Sequence, residues 1–300
     1  MRRIVDAHHH LWNVEQNPYP WFNAVHEDRG WGDMSALMQN YLPQHLYADA
    51  QDAGWEIVKS VHVQANWDPN DPVGESRWLQ SLAEEDQGLN LPTAIVGWVD
   101  LSVDSANDVL RGHAECSRVR GVRQVLNRHS DPRLNRAPKD FLNDPMWLMN
   151  FSRLAGLNLS FDAQIYSHQA SDLARLASEN PDTTIILDHA GMPHDQSAEG
   201  LSEWRSAVEQ LAEMPNICIK ISGFGMVDNQ WTPDSVVPLI RHCVDSFGCK
   251  RSMFGSNFPV DKLMSSWDRL WQTFALSVKD KSEDEQEWMF SRTAETVYRI

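Results

Sequence analysis

The chain has 300 residues, 42% of them hydrophobic, which suits a sizeable core and the length of one α/β barrel. Its net charge of −16 argues against nucleic acid, whose phosphates call for Lys and Arg, and against anionic membrane surfaces. Four scattered cysteines (Cys116, Cys218, Cys243, Cys249) form no CxxC pair, and the chain shows neither a signal-peptide core nor a membrane-length apolar run, so a cytoplasmic protein is expected.

The first element is a short strand over 3–7, running into His8, His9, His10 and Trp12. Strand alternation places Asp6, His8 and His10 on one face and His9 on the other. Two imidazoles two residues apart can grip one metal ion or one substrate group from the same direction. Residues 13–32, rich in Pro, Trp and Asn, read as an extended loop whose aromatics pack beneath it. A short helix is expected over 47–53.

A β-α rhythm follows. Strands are expected at 57–64, 93–99, 119–125, 157–161, 183–187, 217–221 and 252–255. Helices are expected at 75–87, 106–116, 146–155, 169–178, 201–214, 233–247, 267–278 and 284–298, with Pro145 in the first turn of its helix. Apolar, β-branched strands alternating with helices imply a parallel sheet covered by helices. Eight such units without a linker predict an α/β fold, a single (β/α)8 TIM-type barrel spanning 1–300. An open doubly wound sheet is the alternative, but its G-x-G-x-x-G fingerprint does not follow the first strand. The G-x-G at 223–225 reads as a loop that needs backbone freedom.

In such a barrel the chemistry sits at the C-terminal ends of the strands. Polar residues collect there: His8 and His10; His62 and Gln64, with Asn66 and Trp67 beyond; Arg123; Asp162 and Gln164; Asp188 and His189; Lys220 and Ser222; Ser256 and Asn257. Seven polar strand ends on one side are costly unless a ligand or a network satisfies them. Arg123 suits a carboxylate or carbonyl oxygen, because its guanidinium is a fixed fork of donors. His189 can be a third metal ligand or a neutral donor to a carbonyl. Asp162, Asp188 and Asp261 are candidate general bases, although alternation turns either Asp188 or His189 out of the site. No Ser or Cys stands in a G-x-S-x-G context, so covalent catalysis is not expected.

Four motifs occur in order: D-A-H-x-H at 6–10, G-V-R-Q at 121–124, L-D-H-A-G at 187–191 and F-G-S-N-F-P at 254–259. Together they resemble the amidohydrolase superfamily. The closer likeness is to its branch of TIM-barrel hydrolases that includes the fuconolactonases, rhamnonolactonases and pyrone-dicarboxylate lactonase. The resemblance implies hydrolysis of a C–O or C–N bond by an activated water, with His8, His10 and His189 as a metal-type site. It allows one divalent ion, zinc foremost, or metal-free action in which the histidines orient substrate.

The branch's strand-eight motif carries an acid as base where this chain has Asn257, and an amide has no useful basicity. Asp261, four residues on, is the expected replacement base. The expected protein is a hydrolase, a lactonase acting on a small-molecule lactone or carboxylate, with His62, Gln64, Trp67, Asp162 and Gln164 binding substrate. A decarboxylase of the same superfamily and a non-catalytic small-molecule binder are the alternatives that Asn257 keeps open. Thirteen tryptophans allow either packed loops or an oligomer interface.

Overall fold

The computed structural model describes residues 2–24, 33–85 and 88–300. Eight strands follow one another around a single sheet in sequence order, every neighbouring pair parallel. They are β1 (Arg2–His9), β2 (Trp55–Val63), β3 (Ala94–Trp98), β4 (Val119–Val125), β5 (Ser160–Gln164), β6 (Ile185–Leu187), β7 (Ile217–Ile221) and β8 (Ser252–Phe254). The helices between them include α1 (Pro43–Asp52), α2 (Gly74–Glu85), α3 (Ala106–Ala114), α4 (Pro145–Phe151), α5 (Ala170–Glu179), α6 (Ala198–Ala212), α7 (Pro233–Phe247) and α8 (Trp267–Ser277). The expected (β/α)8 barrel is therefore the fold.

The seam is closed by the segment that leaves β8. The Asn257 N–H donates to the His8 carbonyl at 2.7 Å, and the His10 N–H donates to the Phe258 carbonyl at 2.8 Å. Gly255 makes this approach possible, since a Cβ there would stand 2.6 Å from that of His8. Closing the barrel thus sets Asn257 against the histidines of β1.

Side chains divide by strand face. Val5, Ala7, Val61, Val63, Val96 and Ile186 fill the barrel interior. Ile4, Ile95, Phe161, Leu187, Ile219 and Phe254 face the other way and join the larger core with the helices. Local signals set the helix ends. Asp144 caps α4 by accepting from the Trp147 N–H at 3.0 Å, with Pro145 in the first turn as expected.

Some expectations need correction. The fifth strand begins at Ser160, not 157, because 155–157 form a 3-10 turn that ends with Asn158 in the left-handed region. The single helix expected over 284–298 is broken into α9 (Glu283–Glu287), a π turn (Trp288–Arg292) and α10 (Thr293–Tyr298). Residues 25–32 of the expected loop, and Asp86 and Gln87 at the end of the second expected helix, lie outside the described residues. Trp12, Trp147, Trp204, Trp231 and Trp271 are fully buried within the chain.

Candidate active site

Simple alternation fails on β1, and the failure builds the site. Four residues of β1, Asp6 to His9, span three of β2, Ser60 to His62. This extra residue is a bulge, a device that re-aims side chains. Asp6 therefore does not share a face with His8 and His10. Its carboxyl accepts from the Ser256 N–H at 2.8 Å and the Ser256 hydroxyl at 2.6 Å, tying β1 to the turn after β8. Burial pushes its pKa up to about 7, against the pull of those bonds. His9 turns away and pairs with the Ser60 hydroxyl at 2.8 Å.

The second departure is at the end of β6. Asp188 is extended, but His189 has φ 54° and Ala190 φ 53°, a left-handed turn. The turn swings His189 back to the side that Asp188 faces, so neither leaves the site. Gly223 makes room for it, since a Cβ there would stand 2.4 Å from His189 Nδ1. The His8 and His189 rings are 4.5 Å apart, and His8 Nδ1 lies 3.5 Å from Asp188 Oδ1.

His8, Asp188 and His189 each offer a ligand atom within 4.8 Å of the others, and all three are buried. Both nitrogens of His8 and both carboxyl oxygens of Asp188 have no hydrogen-bond partner among the described residues. Buried polar atoms are rarely left so, and a set of lone pairs aimed at one point fits a cation. Burial and the neighbouring cations hold His8 and His189 well below the ordinary imidazole range, which keeps them neutral and able to ligate. His10, expected in this set, is not part of it. Its Nδ1 bonds the Val63 carbonyl at 2.7 Å and its Nε2 faces Asn257 Oδ1 at 3.2 Å. Asp188 takes the third place.

Two cations flank Asp188. Arg123 Nη1 stands 3.7 Å from Oδ2, and Lys220 Nζ 3.7 Å from Oδ1. Arg123 is fixed by donating from Nη2 to the Gln64 carbonyl at 2.9 Å. A cavity of about 780 Å³ opens above, and His10, His189, Arg123, Gln64, Gln164 and Asn257 all reach its wall.

Other expected residues lie elsewhere. Asp162 shares a strand face with Gln164 but sits two residues deeper, where it pairs with Lys220 and accepts from the Tyr298 hydroxyl at 3.0 Å. It is part of the barrel floor and does not line the cavity. His62 turns toward the helices, where Nδ1 accepts from the Leu11 N–H at 3.0 Å and Nε2 lies 3.4 Å from Glu75. Trp67 packs on Tyr19 and Trp78, off the cavity. Asp261 is fully buried, bonded through its Oδ1 to the Asn257 side chain at 3.1 Å, and is not among the residues that line the cavity. Burial raises its carboxyl to about 7.

The cavity also takes residues that strand-end reasoning passed over. Trp12 lies parallel to the His10 ring at 6.5 Å, and Trp98, Tyr166, Arg133 and Arg136 complete much of the wall. Trp12 follows His10 by two residues and so carried a signal. The others stand on loops or at a strand end with none.

Comparison with known proteins bears on the family and the fold. The amidohydrolase family profile matches residues 5–300. The chain belongs to the amidohydrolase family. This amidohydrolase is 38% identical to the y4mH protein of Sinorhizobium fredii, covering 99% of this chain and 98% of that one. It is 28% identical to an L-fucono-1,5-lactonase of Burkholderia multivorans, covering 93% and 91%. A crystal structure of a Burkholderia multivorans amidohydrolase with bound zinc superposes with a TM-score of 0.80 at 25% identity, covering 99% of both chains. No helix among the described residues is long and apolar enough to cross a membrane.

Proposed function

We propose that this amidohydrolase hydrolyses a small lactone of the sugar-acid or aromatic-degradation type, using a water lodged at His8, Asp188 and His189. The observation that carries the reading is this buried triad, with its unpartnered lone pairs, beside a fixed guanidinium at the base of the cavity. The lactonase relative from Burkholderia multivorans supports the substrate class.

The donor set of two neutral imidazoles and one carboxylate suits one divalent ion, zinc foremost, held by His8, Asp188 and His189. Such an ion would polarise the carbonyl and lower the pKa of bound water. Arg123 and Lys220 already offset the charge of Asp188, so the site should hold a cation more weakly than an uncompensated carboxylate would.

The chain's own residues divide the remaining work. Water oxygen bonds to the lactone carbonyl carbon while its proton passes to Asp188, whose oxygens have no hydrogen-bond partner to compete. Arg123 holds the oxyanion that forms, or a substrate carboxylate beside it. The tetrahedral centre then collapses, the ring C–O bond breaks, and the leaving alkoxide takes the proton back from Asp188. The product is a hydroxy acid. Asn257 stands on the cavity wall as a hydrogen-bonding group, not as a base.

A panel of sugar-acid and pyrone lactones, assayed with and without zinc or manganese, tests the reading. Ring opening of at least one lactone is expected. Release of CO2 from an aromatic acid without lactone turnover would favour the decarboxylase instead.

A further inference from the structure

Two side chains on the cavity wall have their free atoms selected by the groups they bond. They are Asp100, two residues beyond β3, and Gln164, the last residue of β5.

Asp100 is oriented through the Gln124 amide. Gln124 Oε1 accepts from the Trp147 Nε1–H at 2.7 Å and from the Leu101 N–H at 3.1 Å. Both partners only donate, so the amide cannot be reversed, and its NH2 group must face Asp100. Gln124 Nε2 accordingly donates to Asp100 Oδ1 at 3.1 Å. The same oxygen accepts from the Ser102 N–H at 2.9 Å and the Ser102 hydroxyl at 2.7 Å. A loop turn accounts for the two Ser102 bonds alone. Gln124 goes further, because it reaches across from β4 and fixes the carboxylate from a second direction. Three donors meet on Oδ1, and none among the described residues bonds Oδ2. Asp100 is half-buried and lines the cavity, so Oδ2 is left for the cavity's occupant.

Gln164 is oriented by a relay. Asn127 is fully buried and donates from Nδ2 to the Met192 thioether at 3.7 Å. That sulfur only accepts, so Asn127 turns its oxygen the other way, where it accepts from Gln164 Nε2 at 2.9 Å. Reversing both amides would set the Asn127 oxygen against the sulfur, lone pair on lone pair. With Nε2 committed, Gln164 has Oε1 left for the cavity that it lines.

The wall therefore holds two free acceptors, one of them on a carboxylate, on strands that flank β4. Trp12, Trp21 and Trp98 supply apolar area to the same cavity. Arg133, an exposed cation of the wall, is engaged by Asp131 through its Nε at 3.0 and 3.1 Å.

We infer that Asp100 and Gln164 are specificity-determining residues that accept hydrogen bonds from hydroxyl groups on the substrate ring. The inference rests on the lactone reading and divides the two lactone types named there. A hydroxylated ring brings donors to both acceptors. A pyrone carboxylate brings acceptors only, so Asp100 Oδ2 and Gln164 Oε1 would be covered without a partner. Its charge would also oppose the Asp100 carboxylate. A site that hydrogen-bonds a hydroxyl rejects an analogue lacking it far more sharply than an apolar pocket rejects an added group.

The test is calorimetric binding of 1,5-anhydroalditols, cyclic polyols with no carbonyl to attack, to the full chain. Wild type is expected to bind at least one of them, and more tightly than a 2-pyrone carboxylate. Asp100→Asn keeps the amide oxygen on the three donors and sets an NH2 group where Oδ2 stands. It should weaken polyol binding roughly 10-fold, through loss of one charge-assisted hydrogen bond, and should not weaken pyrone carboxylate binding. Gln164→Leu should weaken polyol binding as well. The deoxy polyol that lacks the paired hydroxyl should bind wild type and the variant alike, which a merely structural role would not produce. No polyol binding by wild type, tighter binding of the pyrone carboxylate, or polyol binding unmoved in both variants would overturn the inference. The expected polyol pattern in a protein that opens no lactone would sink the lactone reading and leave the two acceptors assigned.

Discussion

His8 Nδ1 and Asp188 Oδ1 face each other at 3.5 Å, too far for a good hydrogen bond, and neither has a hydrogen-bond partner among the described residues, Lys220 Nζ standing 3.7 Å from the same oxygen. Two buried polar groups that approach without bonding mark a place prepared for a third party. Four predictions follow from that place and the groups around it.

Asp188→Asn removes the proposed proton acceptor and one metal-type ligand while keeping the shape. It should lower kcat/KM on a hydrolysed lactone by roughly 10²–10⁴-fold, the usual worth of general base catalysis. Zinc binding, followed by calorimetry, should weaken in parallel.

Arg123→Lys keeps the charge but loses the fork that bonds the Gln64 carbonyl and faces Asp188. The expected loss is about 10²-fold in kcat, in the range found for removing one oxyanion donor. A rise in KM alone would assign Arg123 to binding a substrate carboxylate instead.

Lys220→Met strands Asp162 in the barrel floor, where both side chains are fully buried. Breaking such a pair should cost about 3–5 kcal/mol, measured by urea unfolding. The double substitution Lys220→Met with Asp162→Leu should cost less than Lys220→Met alone, because the carboxylate of Asp162 is no longer stranded, while Asp188 keeps Arg123.

The pH dependence of stability has a definite sign. Burial raises the Asp261 carboxyl to about 7 in the folded chain from an ordinary value of 3.8, so between these values the folded state binds more protons. Stability from this group is therefore greatest below about pH 4, falls as pH rises toward 7, and is constant above. Wild type measured against Asp261→Asn should lose relative stability from pH 5 to 7 and none from 8 to 9. His10, held down to about 3 by burial, acts in the opposite sense, costing stability as pH falls below 6.5.

Much of this was readable in the chain. The β-α rhythm identifies the barrel, and strand-end position alone puts Arg123, His189, Gln64, Gln164 and Asn257 at its mouth, where the cavity has them. What failed did so where the backbone leaves the regular strand. The bulge between Asp6 and His9 cannot be seen in a run of three histidines, and the left-handed turn at His189 broke the alternation that separated it from Asp188. Depth was the other blind spot. Asp162 and Gln164 share a face, yet one is sealed into the floor by Tyr298 and the other reaches the cavity. Asp261 was within chain reach of the mouth, but the structure sets it behind the amide it was expected to replace.

The central claim is that water held at His8, Asp188 and His189 opens a lactone ring. Its most direct test is the hydrolysis rate of L-fucono-1,5-lactone and a panel of related lactones by wild type and Asp188→Asn, each with and without added zinc. Turnover of at least one lactone by wild type, reduced 100-fold or more in Asp188→Asn, is predicted. No turnover by wild type under either condition, or equal turnover by the two proteins, would contradict it.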